Sequence, residues 1–218
     1  MNGLFETFHL SILLIFTSLF VSRIIYMRRV KITSTITFNL KSGEPRNFLT
    51  FALVVTICVW VPVMLVNVLH PEIRLLPAVL ETQLTETSAA KITGMSIIIL
   101  GLVIYIPALL TLGDYWRVGD TKRREGRLVT HGIYAISRNP IYVFFVLYFL
   151  GTFLINGLLI FLIFTIMGAL NVHYLVIEEE KLLMSRYGAA FRDYRATTGR
   201  YATLRINKFR AFRKNGHA

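Results

Sequence analysis

The sequence predicts an all-α integral membrane protein of about five transmembrane helices, the last two folded into a C-terminal helical hairpin. Three observations carry that expectation. Hydrophobic residues make up 55% of the 218 residues and the mean hydropathy is +0.58, which leaves too few polar side chains to cover a water-soluble globule of this size. Apolar stretches lie at about 4–22, 48–69, 92–112, 141–155 and 158–177, and most approach the ~20 residues that a helix needs to cross the hydrocarbon core. The segments between them alternate between basic and non-basic.

The first stretch is preceded by Glu6 rather than a basic segment and followed by Arg23, Arg28 and Arg29. It is therefore expected to be a retained span, not a cleaved signal. The segment after it holds Arg23, Arg28, Arg29, Lys31, Lys41 and Arg46 against Glu44 alone, which predicts a cytoplasmic position. Cys58, the only cysteine, lies within the second stretch and has no partner for an internal disulfide. No Cys/His cluster with metal-ligand spacing is present, so no metal site is expected. The connection from 70 to 91 has only Arg74 and Lys91 against Glu72, Glu81 and Glu86, whereas 113–140 and the chain from 178 onward are basic again. The alternation predicts the N-terminus outside and the C-terminus in the cytoplasm. The net charge of +12 is then concentrated in three cytoplasmic segments, where it meets anionic headgroups rather than nucleic acid. Arg205, Lys208, Arg210, Arg213 and Lys214 read as a lipid-surface anchor.

The fourth stretch is short and is expected to cross steeply or incompletely. Asn156-Gly157 is a turn dipeptide that forces spans four and five into an antiparallel hairpin. Pro140 suits the first position of span four, and Asn139 before it is a preferred cap residue. The unpaired N–H groups of that helix start, its dipole and the charge of Arg138 would together favour an anionic group. After span five, Ile177 to Tyr187 reads as a helix leaving the membrane, with Gly188 as its stop. Phe191, Tyr194 and Tyr201 are expected as interfacial anchors among Arg192, Arg195 and Arg200. His173, near the end of span five, is expected to face the bundle interior as ionisable residues in spans usually do; His9 is the ionisable group of span one. Tyr26, Trp60, Tyr105 and Trp116 read as interfacial or packing aromatics, with Trp116-Arg117 bordering the polar end.

The run from Arg127 to Tyr134 (Arg-Leu-Val-Thr-His-Gly-Ile-Tyr), followed by Ser137-Arg138-Asn139-Pro140-Ile141-Tyr142, is one motif. Glu178-Glu179-Glu180, Leu182-Leu183, Tyr187-Gly188 and Tyr194 form a second. Together with Trp116-Arg117 they resemble the isoprenylcysteine carboxyl methyltransferase and phospholipid methyltransferase superfamily, over about residues 112–201. Short loops and the absence of repeats predict a single membrane domain, in which 1–111, poor in ionisable groups, is transmembrane scaffold, 112–201 is the methyltransferase-like region that the resemblance covers and 202–218 is a basic tail. The resemblance implies S-adenosylmethionine as cofactor, bound in a cytoplasmic pocket between the ends of the C-terminal helices. The implied cofactor contacts are Gly126, Arg127, Leu128, Val129, Tyr134, Asn139, Pro140, Ile141 and Tyr142, with Glu179 as the functional, catalytic glutamate and a further cofactor contact.

Two positions depart from the carboxyl methyltransferases: Asn139 stands for the histidine before the proline, and Leu175 for an arginine that engages the substrate carboxylate. Asparagine keeps hydrogen bonding but cannot become charged. The implied reaction is methyl transfer to a lipophilic, membrane-embedded acceptor. A membrane oxidoreductase similar to the sterol reductases and using NADPH, and a non-enzymatic protein that binds anionic lipid through its basic surface, are the other readings of the same residues.

Overall fold

The computed structural model describes residues 2–29, 36–37, 43–70, 72–73, 76–113, 118–119 and 128–203. Five helices account for the five apolar stretches: α1 (Asn2–Arg29), α2 (Pro45–Leu69), α3 (Ser88–Leu112), α4 (Pro140–Asn156) and α5 (Leu159–Thr197). All but α4 are long and apolar enough to cross a membrane. With 17 residues, α4 is about 26 Å long, close to the ~30 Å hydrocarbon thickness. A two-residue parallel ladder joins β1 (Ile36–Thr37) to β2 (Val118–Gly119), and a single 3₁₀ turn spans Gly132–Ala135.

Helix boundaries have local causes. Proline occupies the first turn of α2 and of α4, where its missing N–H leaves no helical bond unmade. The Thr87 hydroxyl accepts from the Ala90 N–H at 3.2 Å and caps α3. Gly157 ends α4 at φ +71, and its carbonyl accepts from the Leu84 N–H at 2.7 Å. A Cβ at Gly157 would run into the Thr85 carbonyl, so only glycine makes this hairpin tip.

Side-chain contacts fix the helix directions. Lys91 lies 5.4 Å over the Phe5 ring, Phe16 meets Tyr105 at 5.8 Å, and Arg23 donates to the Gly113 carbonyl, so α1 and α3 run parallel. Helix α4 runs antiparallel to α3, with Gly94 against Gly151 and Gly101 against Phe144. The Thr165 hydroxyl of α5 donates to the Phe149 carbonyl at 3.0 Å, and Asn67 of α2 donates to Asn156 at 2.7 Å. The starts of α2 and α4 therefore lie at one end of the bundle and those of α1, α3 and α5 at the other, as five successive crossings require. Between them an aromatic chain of Phe16, Trp60, Tyr105, Phe144, Tyr148 and Phe149 fills the interior. Trp60 and Tyr105 are thus packing residues, while Tyr26 is exposed beside Arg23. Leu14, Val59, Val103, Leu110 and Met167 face outward, the apolar exterior of a helix bundle suited to lipid.

Candidate functional site at the start of α4

The polar residues of the two motifs converge where α4 begins and the apolar part of α5 ends. Three successive glutamates point to three partners, because neighbouring positions on a helix are about 100° apart. Glu178 pairs with Lys181 at 2.6 Å on the surface. Glu179, half-buried, accepts from the Tyr142 hydroxyl at 2.7 Å. Glu180 is 5% exposed and sits between two guanidinium groups.

Arg138 donates to Glu180 Oε1 from Nε at 3.0 Å and from Nη2 at 2.8 Å. Arg200 donates to Oε2 from Nε at 3.2 Å and from Nη2 at 3.0 Å. The Asn139 amide adds a bond to Oε1 at 3.2 Å. Burial alone would push the Glu180 carboxyl up, but the hydrogen bonds from Arg200 and Arg138 and their charges outweigh it and hold it below the ordinary range.

The segment from Thr198 to Thr203 is drawn across the start of α4 by the same residues. Arg138 Nη1 donates to the Thr198 carbonyl and its backbone N–H to the Gly199 carbonyl at 3.0 Å. Asn139 Nδ2 reaches the Arg200 carbonyl at 3.3 Å, and Thr203 Oγ1 reaches the Ile136 carbonyl at 2.7 Å. Below them the Tyr194 hydroxyl donates to the Tyr134 carbonyl at 2.6 Å, tying α5 to the 3₁₀ turn.

Several expectations change here. The Asn139 side chain makes no capping bond to α4, because Glu180 and Arg200 engage it. Arg138 does not stand as an unbalanced charge at the helix start, because Glu180 takes it up. Gly188, at φ 49, kinks α5 rather than ending it, and the helix resumes to Thr197. That return turn buries Phe191 and Tyr194 against the site instead of placing them at the interface. His173 is exposed on the outside of α5, its Nδ1 2.8 Å from the Tyr201 hydroxyl. Leu175 is buried.

Of the predicted cofactor contacts, Tyr142 meets Glu179 directly, and Asn139 and Pro140 are buried beside it with Ile141 half-buried. Leu128 and Val129, half-buried, lead into the 3₁₀ turn that carries Tyr134. Gly126, Arg127, Asp114 to Arg117, and the basic cluster from Arg205 to Lys214 lie outside the described residues. Glu180 and Arg200 are the members that the sequence did not single out. The available signal was Gly188, since a break there lets the chain return and place Arg200, 20 residues after Glu180, beside that glutamate.

What this arrangement offers chemically is a carboxylate, Glu179, oriented by a phenol at the edge of a polar cluster, next to the positive end of the α4 dipole. Residues 89–190 match the phospholipid methyltransferase family. The chain is also 34% identical over 110 residues to the protein-S-isoprenylcysteine O-methyltransferase of Tribolium castaneum, an alignment covering 49% of this chain and 39% of that protein. The chain thus spans well under half the length of this curated relative. The family match begins at residue 89 and so takes in α3, which the motifs alone left in the scaffold. Residues 89–190, with α3, the hairpin and the residues of both motifs that fall within them, are accordingly a region of the isoprenylcysteine carboxyl methyltransferase and phospholipid methyltransferase superfamily.

Proposed function

We propose that this protein is a membrane methyltransferase that uses S-adenosylmethionine and acts on a lipophilic acceptor entering from the bilayer, with the α4-start end of the bundle in the cytoplasm. The single observation that carries the reading is the 2.7 Å contact between Tyr142 and Glu179, which joins the two motifs at the mouth of one hairpin. The residues present suit the cofactor. Glu179 supplies a fixed negative charge for its sulfonium and amine, and the positive end of the α4 dipole favours its carboxylate, while the N–H groups of Tyr142 and Val143 already meet the Asn139 carbonyl. When bound, it provides an activated methyl group.

The chain's own contribution is orientation and exclusion of water. Tyr142 holds Glu179 in one rotamer, the Arg138–Glu180–Arg200 cluster fixes α4 against α5, and the Thr198–Thr203 segment covers the helix start. Holding two reactants in line within a dry site can account for much of such a rate, so a dedicated base is not required. Glu179 then serves as a binding and positioning group for the cofactor.

A thermal-shift titration of the purified chain tests this. S-adenosylmethionine raises the melting temperature and NADPH does not. Glu179→Ala or Tyr142→Phe weakens the cofactor by about tenfold or more, the loss expected for a hydrogen bond to a charged group. Stabilisation by NADPH alone, or by neither compound, would overturn the proposal. Methyl-labelled cofactor incubated with membranes then identifies the lipid fraction that takes up label.

A further inference from the structure

The outward face of α5 is apolar with one interruption. From Ile166 to Tyr174 its exposed side chains are Ile166, Met167, Leu170, His173 and Tyr174, so a single imidazole stands in a lipid-facing surface. A polar ring there needs a partner, because hydrocarbon offers none. His173 Nδ1 finds one in the Tyr201 hydroxyl at 2.8 Å, the ring centroids lying 6.3 Å apart.

Tyr201 is held in place by its neighbour. Arg200 donates twice to Glu180, and its carbonyl accepts from Asn139. Two guanidinium groups against one carboxylate leave this cluster with a net charge of +1. The Arg138 side chain is 9% exposed and that of Arg200 33%, so the surplus charge meets the surroundings at Arg200. Two of the five N–H donors of a guanidinium are engaged at Glu180. His173 and Glu180 are seven residues apart, hence on one face of α5 and about 10 Å apart along its axis. Going inward from the Arg200 charge, the surface therefore presents a cation, then a phenol and imidazole, then apolar side chains. That is the depth order of a glycerophospholipid: phosphate, ester oxygens, acyl chains.

We propose that Arg200, Tyr201 and His173 form a binding site for one phosphate-bearing lipid on the outside of α5, the phosphate at Arg200 and the ester oxygens at Tyr201 and His173. Glu179 lies about 100° round the helix from Glu180, so this site is separate from the Tyr142–Glu179 pair and stands whether or not the chain transfers methyl groups.

Native mass spectrometry of the full chain, stripped of lipid in neutral detergent and titrated with phosphatidylglycerol, tests it. The wild type retains one lipid, and the pair His173→Leu with Tyr201→Phe weakens that binding by about tenfold, the effect of losing two ordinary hydrogen bonds to the ester oxygens. Arg192→Gln with Arg195→Gln, which removes exposed charge elsewhere on the same end, leaves it unchanged. An unaltered melting curve in lipid-free detergent shows that the double variant keeps its fold. Tyr201→Phe alone, which removes one hydroxyl, is the second variant and gives a smaller loss in the same direction. The proposal is overturned by equal binding in wild type and both variants, by an equal loss in the Arg192/Arg195 control, by equal retention of an uncharged diacylglycerol, or by displacement of the lipid with an equal concentration of inorganic phosphate.

Discussion

Glu180 is the residue on which the polar end of the bundle turns, although the sequence drew attention to its neighbour. A carboxylate this buried is tolerable because four guanidinium N–H groups and one amide surround it. Removing one partner of a buried pair leaves the other uncompensated and costs about 3–5 kcal/mol. Glu180→Gln is therefore expected to lower the unfolding free energy in detergent by roughly that amount at neutral pH. The pH dependence follows from the lowered carboxyl. Its contribution is fully present above the ordinary carboxylate value of about 4.3 and is lost as pH falls through the lower folded-state value. The melting-temperature gap between wild type and Glu180→Gln should accordingly be widest near pH 7 and close progressively below pH ~4; a gap that widens on acidification refutes the assignment. At this scale the sequence showed which residue types meet but not which glutamate meets which partner. A one-residue shift turns a helix by 100°, and only the packed positions of α4 and the returning chain decide between Glu179 and Glu180.

Helices α2, α3 and α4 were legible to within a few residues, because apolar length, proline at the first turn and the Asn156-Gly157 dipeptide are local signals, whereas α1 runs on to Arg29 and α5 to Thr197, past the ends that apolar length and Gly188 marked. What did not show was how tightly α3 packs on α4. Gly94 and Gly151 face each other so closely that a Cβ on Gly94 would lie 2.6 Å from the Gly151 carbonyl oxygen and 2.8 Å from Ile155 Cγ1. Small residues of this kind let transmembrane backbones approach without a side chain between them. They leave no periodic mark when the stretch is apolar all round. Gly94→Ala should destabilise the fold by about 1–3 kcal/mol through overpacking, read as a lower midpoint of denaturant unfolding in detergent. Gly3→Ala, where nothing lies within 4 Å of the added methyl, is the neutral control. The kink at Gly188 belongs to the same class of hidden feature. A glycine at the end of an amphipathic run reads as a stop, whereas burial of Phe191 and Tyr194 beyond it continues the helix in a new direction.

Among the described residues, the five helices share one polar end, built from the start of α4, the end of α5 and the segment returning from Thr198 to Thr203. The opposite end is closed by residues 80–85, which bond to the hairpin tip through Leu84 N–H to Gly157 and Leu159 N–H to Thr82. Those contacts carry the tip of the short helix α4 to the same level as the loop before α3, so α4 runs the length of the bundle beside its neighbours. On the proposed reading, in which positive segments stay inside, the polar end faces the cytoplasm. Cysteine labelling checks that assignment, starting from a Cys58→Ala background because Cys58 is exposed on the outer surface. Glu86→Cys, at the tip end, should react with a membrane-impermeant maleimide added to intact cells. Lys181→Cys, beside the glutamates, should react only after the membrane is permeabilised, since α3, α4 and α5 lie between the two positions and three crossings separate them. The reverse pattern would put the Tyr142–Glu179 pair on the outer face, away from a cytoplasmic cofactor supply, and would remove the methyltransferase reading even if the fold and the binding residues stood as described.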